Sequence, residues 1–274
     1  MICVKDVELK VLLEIENLDV SFRSDEDEVV RAAIDVNLTL DRGEVLGLVG
    51  ESGSGKSSVA MSVARLLPSP PAFHPKGRIL LDGVDTLTMP LAELRRIRGK
   101  KVGVVFQDPM GSLSPLHRIG DQLVETVLLH EKISRRAAAE MSVAWLGKVG
   151  IPDPAARARA YPHELSGGMQ QRVMIAMGLM LEPDLLIADE PTTALDVTIQ
   201  AQVLKLMKAL HRSNSAVLLI THDLGVVSQM ATRLAVMKDG RVVETADDPA
   251  AFFANPTHPY ARTLIGEARK MELE

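Results

Sequence analysis

The residues best suited to chemistry form a glycine-rich run, Gly-Glu-Ser-Gly-Ser-Gly-Lys-Ser, at positions 50–57. This run follows an apolar stretch, residues 45–49, that is typical of a strand buried on both faces, and a helix is predicted after it. Between a strand and a helix, such a turn lets successive backbone N–H groups bind phosphate at the helix N-terminus. Lys56 can reach the β- and γ-phosphates of a nucleoside triphosphate, and the Ser57 hydroxyl can ligate Mg²⁺. The pattern predicts a P-loop, with the nucleotide bound by Gly50, Glu51, Ser52, Gly53, Ser54, Gly55, Lys56, Ser57 and Ser58.

Two neighbouring carboxylates follow a second apolar run, residues 185–188. Asp189 suits the coordination shell of Mg²⁺, usually through a water molecule. Glu190 points in a different direction and can act as the general base that activates the attacking water. Two acidic residues after a strand would more often cap a helix, but beside a phosphate loop they indicate hydrolysis of the triphosphate.

A second candidate anion site lies at residues 165–172, Leu-Ser-Gly-Gly-Met-Gln-Gln-Arg, just before a helix predicted from about 170 to 181. Ser166 could be a simple N-cap, and Gly167 and Gly168 a hinge. The same residues could also present a hydroxyl, two backbone amides and a helix dipole to a phosphate. Two phosphate-recognising ends in one chain suggest that the second serves a nucleotide bound by another molecule, which predicts a dimer.

The elements that must position these residues are read from hydrophobic spacing and turn signals. The proline-rich stretch 68–75 is predicted to be a loop, and Asp239-Gly240 a hairpin turn between two strands. We predict strands at 12–22, 32–40, 45–49, 77–81, 101–106, 185–188, 216–220, 234–238 and 241–244, helices at 56–67 and 199–212, and a mainly helical block at 108–178.

These elements predict an α/β fold: a P-loop NTPase core with a mostly parallel sheet, an antiparallel β subdomain and an inserted helical subdomain. We expect a single domain, residues 1–274. Its core and antiparallel strands would occupy about 12–107 and 179–245. The helical subdomain would occupy about 108–178, and a C-terminal tail 246–274.

Composition narrows the classes of function. The net charge of −5 over 274 residues does not indicate a positively charged surface for binding nucleic-acid phosphates, so we expect no nucleic-acid partner. Nowhere do about 18 apolar residues run uninterrupted, so any membrane role should be peripheral. The single cysteine, Cys3, excludes an internal disulfide and a metal site built from cysteines.

Taken in order, these motifs resemble those of the ATP-binding cassette (ABC) transporter ATPases, over roughly residues 12–265. Residues 165–172 match the signature motif of that family. Gln107, after the strand at 101–106, matches its glutamine loop, and Asp196 ends a match to its D-loop. His222 matches the switch histidine, and Phe22 is positioned like the aromatic residue that stacks on adenine.

The resemblance implies a head-to-tail dimer with two ATP molecules at its interface. Each ATP would be gripped by the phosphate loop of one subunit and by Ser166, Gly167 and Gly168 of the other. Asp196 would couple the two sites, while Phe22 would hold the adenine. The resemblance implies catalytic roles for Glu190, His222 and Gln107, and Mg²⁺ binding by Ser57, Gln107 and Asp189.

Residues 107–115, 161–166 and 255–264 are further similar to the dipeptide, oligopeptide and nickel importer ATPases. This similarity implies permease subunits, a second ATPase subunit (identical or different) and, indirectly, a substrate-binding protein. It places the chain at the cytoplasmic face of the inner membrane. Many relatives carry clustered cysteines that bind an iron–sulfur cluster, and with only Cys3 we expect none here.

Two other functions stay open at this point. A soluble ABC-type ATPase of DNA repair or of the ribosome would typically carry long coiled-coil insertions or paired cassettes, and neither is evident. A binding module with an inactive site is the other alternative. The presence of Lys56, Asp189, Glu190 and His222 argues against it.

Overall fold

Two β-sheets organise the chain in the computed structural model, which describes residues 11–24, 26–192, 195, 197–211 and 214–271. The strands are β1 (Val11–Arg23), β2 (Val29–Asp41), β3 (Val45–Val49), β4 (Ala72–Leu81), β5 (Val84–Asp85), β6 (Val102–Val105), β7 (Leu185–Asp189), β8 (Ala216–Thr221), β9 (Arg233–Lys238) and β10 (Arg241–Ala246). The helices are α1 (Lys56–Val63), α2 (Leu91–Ile97), α3 (Pro109–Ser112), α4 (Ile119–Leu128), α5 (Arg135–Lys148), α6 (Pro154–Arg157), α7 (Gly167–Leu179), α8 (Val197–Leu210), α9 (Leu224–Met230), α10 (Pro249–Ala254) and α11 (Pro259–Met271).

The larger sheet carries the candidate site at one edge. Its strand order is β10-β9-β3-β8-β7-β6, and all neighbours are parallel except β10, which pairs with β9 as an antiparallel hairpin. Because parallel strands end at the same edge, the segments after β3, β6, β7 and β8 come together there. Those segments hold the phosphate loop, Gln107, Glu190 and His222.

The predicted apolar runs do form fully buried strands. Every residue of β3, β7 and β8 is buried, because both faces of the sheet are covered. One face packs against α1 and the smaller, antiparallel sheet of order β2-β1-β4-β5. The other face packs against helices, with Leu186 and Leu219 in one cluster with Val173 of α7 and Val203 of α8. The mixed α/β architecture predicted from the sequence is therefore confirmed.

The prediction that residues 68–75 form a loop is wrong at its end, because β4 already begins at Ala72 and includes Pro75. Proline is tolerated there because the pairing of β4 with β1 is irregular between Lys76, opposite Asp19, and Phe73, opposite Ser21. The helix predicted at 56–67 also ends early, at Val63. Arg65 has a φ of 49°, a left-handed conformation that an α-helix cannot continue through.

Helices dominate residues 109–179, where α3 to α7 follow one another with a 3₁₀ turn at Pro162–Glu164. The helix predicted at 170–181 begins earlier, at Gly167, with Ser166 as its N-cap. Over the ranges described above, no helix combines the length and the apolar composition that crossing a bilayer requires.

Candidate functional site

The phosphate loop is shaped by glycines that no other residue could replace without displacing the backbone. Gly55, directly before α1, has a φ of 98°, and a Cβ there would lie 2.0 Å from the carbonyl oxygen of Ala32. At Gly50, whose φ is 151°, a Cβ would lie 2.1 Å from the carbonyl oxygen of Met237. Both contacts are with backbone, which cannot swing aside. Gly53, in contrast, faces open space.

Lys56 is the first residue of α1 and is only 4% exposed. Its ammonium group donates hydrogen bonds to the carbonyl oxygens of Gly50 (2.7 Å) and Glu51 (2.6 Å). Burial lowers the pKa of Lys56, and the carboxylates of Glu190 and Asp189 oppose that shift. The cation is thus held across the phosphate loop, next to two acidic side chains, where it can donate to an anion.

Ser57 and Asp189 form a pair of oxygen ligands beside the loop, with Ser57 Oγ donating to Asp189 Oδ1 at 2.9 Å. Burial, aided by the charge of Glu190, raises the pKa of Asp189, although the Ser57 hydrogen bond works against the shift. A buried carboxylate of this kind is stabilised by a cation. Within the described residues, no cluster of three His, Cys, Asp or Glu side chains could hold a metal alone. The adjacent hydroxyl and carboxylate oxygens of Ser57 and Asp189 fit Mg²⁺, an ion that takes oxygen ligands, keeps several waters and is also bound through substrate phosphates.

Glu190 is held between two of the predicted catalytic side chains. Gln107 Nε2 donates to Glu190 Oε2 at 2.9 Å, and His222 Nδ1 lies 3.1 Å from Glu190 Oε1. The Glu190 backbone has a φ of 44°, unusual for a residue other than glycine, and its N–H donates to the carbonyl oxygen of Ile220 at 2.8 Å. Such strain persists only where surrounding contacts enforce it, and it is frequent at functional sites.

A cleft of about 1020 Å³ is lined by most of these groups, although Gly50, Ser54 and Asp189 are not on its wall. Its volume is at the upper end for cavities that bind small molecules and cofactors. The predicted site residues on its wall are Glu51, Ser52, Gly53, Gly55, Lys56, Ser57, Ser58, Gln107, Glu190 and His222.

Other predicted residues lie away from this cleft. Ser166 caps α7, with its Oγ accepting from the Met169 N–H at 3.4 Å, and Gly167 is exposed beside it. Phe22 is half-buried and packs against the core between the two sheets. Neither Phe22 nor residues 166–168 line the cleft, so their roles toward ATP stay predictions. Asp196 lies outside the described residues.

Sequence reasoning missed part of the cleft wall. Leu264, Glu267 and Ala268 of α11 line it, as do residues 223–225 at the start of α9. In the sequence, the motif at 255–264 indicates only similarity to a subfamily. Nothing in its residue types indicated that it returns to the phosphate loop.

Comparisons with known proteins show which family the chain resembles. A family model described as ABC transporter matches residues 34–193. The oligopeptide transport ATP-binding protein OppD of Bacillus subtilis is 48% identical over 262 residues, covering 95% of this chain and 73% of its own length. The dipeptide transport ATP-binding protein DppD of the same species is 47% identical over 266 residues, covering 97% and 79%.

A solved structure provides a matching fold. The dimeric post-hydrolysis state of the ATP-binding cassette MJ0796, bound to ADP and Pi, superposes with a TM-score of 0.76 and 29% identity. The match covers 85% of this chain and 97% of that one. With the family model, the relatives and the fold in agreement, the chain belongs to the ABC transporter family and is an ATP-binding, ATP-hydrolysing member of it.

Proposed function

We propose that this chain is the ATPase subunit of a peptide importer and that Glu190 is its general base. The observation that carries the proposal is the Glu190 carboxylate, held by Gln107 and His222 in the same cleft as Lys56 and Ser57. A base fixed on both oxygens beside a phosphate site is suited to activating water for phosphoryl transfer.

Binding of ATP in this proposal rests on the phosphate loop. Its backbone N–H groups and the Lys56 ammonium would hold the β- and γ-phosphates at the N-terminus of α1. Mg²⁺, when bound, supplies charge neutralisation at the phosphates. Ser57 would hold the ion, Asp189 would hold it through water, and Gln107 would complete the shell or contact the attacking water.

In the hydrolytic step, a water oxygen would form a bond to the γ-phosphorus while the bond to the β–γ bridging oxygen breaks, leaving ADP and phosphate. The water proton would pass to the Glu190 carboxylate. Gln107 and His222 keep that carboxylate in one orientation, which lowers the entropic cost of reaching the transition state. His222 would also donate to the γ-phosphate.

The full site would require a second cassette. Residues 166–168 do not line the cleft of their own chain, yet Ser166 and the exposed backbone at Gly167 present a phosphate-binding helix start. The solved relative with ADP and Pi is dimeric. A head-to-tail dimer would bring residues 166–168 of one cassette over the phosphate loop of the other, with Asp196 between the sites and Phe22 at the adenine.

Peptides are the favoured cargo because OppD and DppD are named for oligopeptide and dipeptide transport. Nickel, the other cargo suggested by the sequence, stays a prediction. The chain would act at the cytoplasmic face of the membrane with permease subunits and a substrate-binding protein. A soluble ABC-type ATPase is not favoured, because these relatives are transport proteins.

Uptake measured in membrane vesicles tests this cargo. Vesicles carrying the chain and its permeases, with the binding protein and labelled peptide outside and ATP sealed inside with the ATPase, should accumulate di- to pentapeptides. They should not accumulate ⁶³Ni²⁺. Uptake of nickel without peptide uptake would reverse the cargo assignment. Normal ATP hydrolysis that no peptide or nickel solution stimulates would favour the soluble alternative.

The Asp189→Asn substitution tests the Mg²⁺ assignment. We expect the Mg²⁺ concentration for half-maximal ATP hydrolysis to rise about tenfold or more. Losses of this size are typical when a residue that holds a metal ion indirectly, here through a water molecule, is replaced. The melting temperature of the nucleotide-free protein should also rise, because a buried carboxylate is removed. Asp121→Asn, at an exposed ion pair with Arg135, should change neither value. An unaltered Mg²⁺ requirement in the Asp189→Asn protein would refute the assignment.

A further inference from the structure

The C-terminal tail at 255–264 is built into the nucleotide site, although it begins almost 200 residues after the phosphate loop ends. The Tyr260 hydroxyl oxygen accepts a hydrogen bond from the Glu51 backbone N–H at 3.0 Å. Glu51 is the second residue of the loop and lines the cleft. One turn and two turns further along α11, Leu264, Glu267 and Ala268 form part of the same wall.

Tyr260 is itself held rigidly. It is 6% exposed and packs in an apolar cluster with Phe252 and Leu264. The Lys238 ammonium lies 4.7 Å from the centre of its ring, a favourable cation–π contact. Burial raises the pKa of Tyr260, so the phenol is neutral at physiological pH.

The segment that leads to Tyr260 is anchored to the large sheet. The Glu244 carboxylate of β10 accepts the backbone N–H groups of Thr257 (2.9 Å) and His258 (2.8 Å). His258 Nδ1 in turn accepts the Tyr260 N–H at 3.2 Å, at the start of α11. The bonds that the Glu244 carboxylate accepts from Thr257 and His258 outweigh the effect of burial and lower the pKa of Glu244. The tail is therefore held at two places: by Glu244 at residues 257–258, and by the contact of Tyr260 with Glu51.

We infer that Tyr260 is a positioning residue for ATP binding: it fixes the first peptide group of the phosphate loop in the conformation that receives the triphosphate. A loop that is ordered before the nucleotide arrives loses less entropy on binding. The inference rests on the assignment of residues 50–57 as the ATP-binding loop, and it assigns to the tail a role in nucleotide affinity.

The Tyr260→Phe substitution removes the hydroxyl and keeps the ring. In the full chain we expect the dissociation constant for Mg²⁺–ATP to rise about three- to tenfold, the effect of one lost hydrogen bond. In the assembled transporter, KM for ATP should rise by a similar factor while kcat stays unchanged. This is expected because the lost hydrogen bond would have stabilised bound ATP and the transition state by the same free energy. Hydrogen exchange at the Glu51 amide, measured without nucleotide, should become faster.

Phe252→Leu is the matched control, because Phe252 packs in the same apolar cluster and is absent from the cleft wall. It should lower the melting temperature and leave the ATP dissociation constant and Glu51 exchange unchanged. Equal ATP affinity in wild-type and Tyr260→Phe proteins would overturn the inference, as would an equal loss of affinity in Phe252→Leu. If the wild-type chain itself bound no ATP, the assignment of the phosphate loop would fail instead.

Discussion

Replacing Glu190 with glutamine should lower the rate of ATP hydrolysis by about 10²–10⁴-fold, the range expected when a general base is lost. Glutamine has nearly the same shape, and its amide oxygen can still accept the hydrogen bond from Gln107. The fold of the cleft should therefore survive, while the group that takes the proton from water is gone. Phosphate release in a single turnover measures the effect directly.

ATP binding should persist in the same variant, and it should tighten, because one negative charge near the triphosphate is removed. The ATP-bound form should then accumulate as a dimer, which size-exclusion chromatography with ATP can detect. Glu140→Gln, at an exposed ion pair with Arg136, should behave like wild type in both assays. Wild-type turnover in the Glu190→Gln protein would refute the assignment of the base.

Replacing Ser166 with arginine has the second largest expected effect: hydrolysis should fall about 100-fold or more, as when transition-state donors are lost. A long cation at the start of α7 would keep the two cassettes apart and displace the hydroxyl from the partner's nucleotide. Binding of ATP to the phosphate loop of the same chain should be unchanged, because residue 166 does not line that cleft. Nucleotide titration and steady-state turnover separate the two effects.

Ser134→Arg is a close control for this substitution. Ser134 is also an exposed N-cap serine, and its Oγ accepts from the Ala137 N–H at the start of α5. Both substitutions should cost about 1 kcal/mol of stability through the lost cap, but Ser134→Arg should leave hydrolysis intact. Loss of ATP binding in the Ser166→Arg monomer would count against a site completed by a second cassette.

Local patterns were sufficient to predict the elements of the large sheet. The runs at 45–49, 185–188 and 216–220 are apolar on every residue because both sides of the sheet are covered. Predictions from local sequence were wrong where the pairing of two distant strands decided the structure. Pro75 lies within β4 because an irregular ladder frees that position from donating a hydrogen bond, which only the partner strand β1 reveals.

The sequence was sufficient to predict which residues belong to the candidate site, but not how they contact one another. Residue types identified Gln107, Glu190 and His222 individually, yet their mutual contacts join segments 83 and 32 residues apart. The left-handed backbone of Glu190 depends on its bond to β8 and leaves no mark in the sequence. The contact of Tyr260 with Glu51 spans 209 residues, and tyrosine in an apolar helix face is ordinarily a core residue.

If peptide import is driven by ATP hydrolysis at Glu190, the two processes should stop together, and both can be measured in one preparation. The chain, its permeases and its binding protein would be placed in liposomes, with peptide uptake and phosphate release followed together. We predict that wild-type protein shows peptide-stimulated phosphate release and uptake, and that Glu190→Gln abolishes both while ATP remains bound. Peptide uptake at the wild-type rate in the Glu190→Gln transporter would show that transport does not depend on hydrolysis at Glu190.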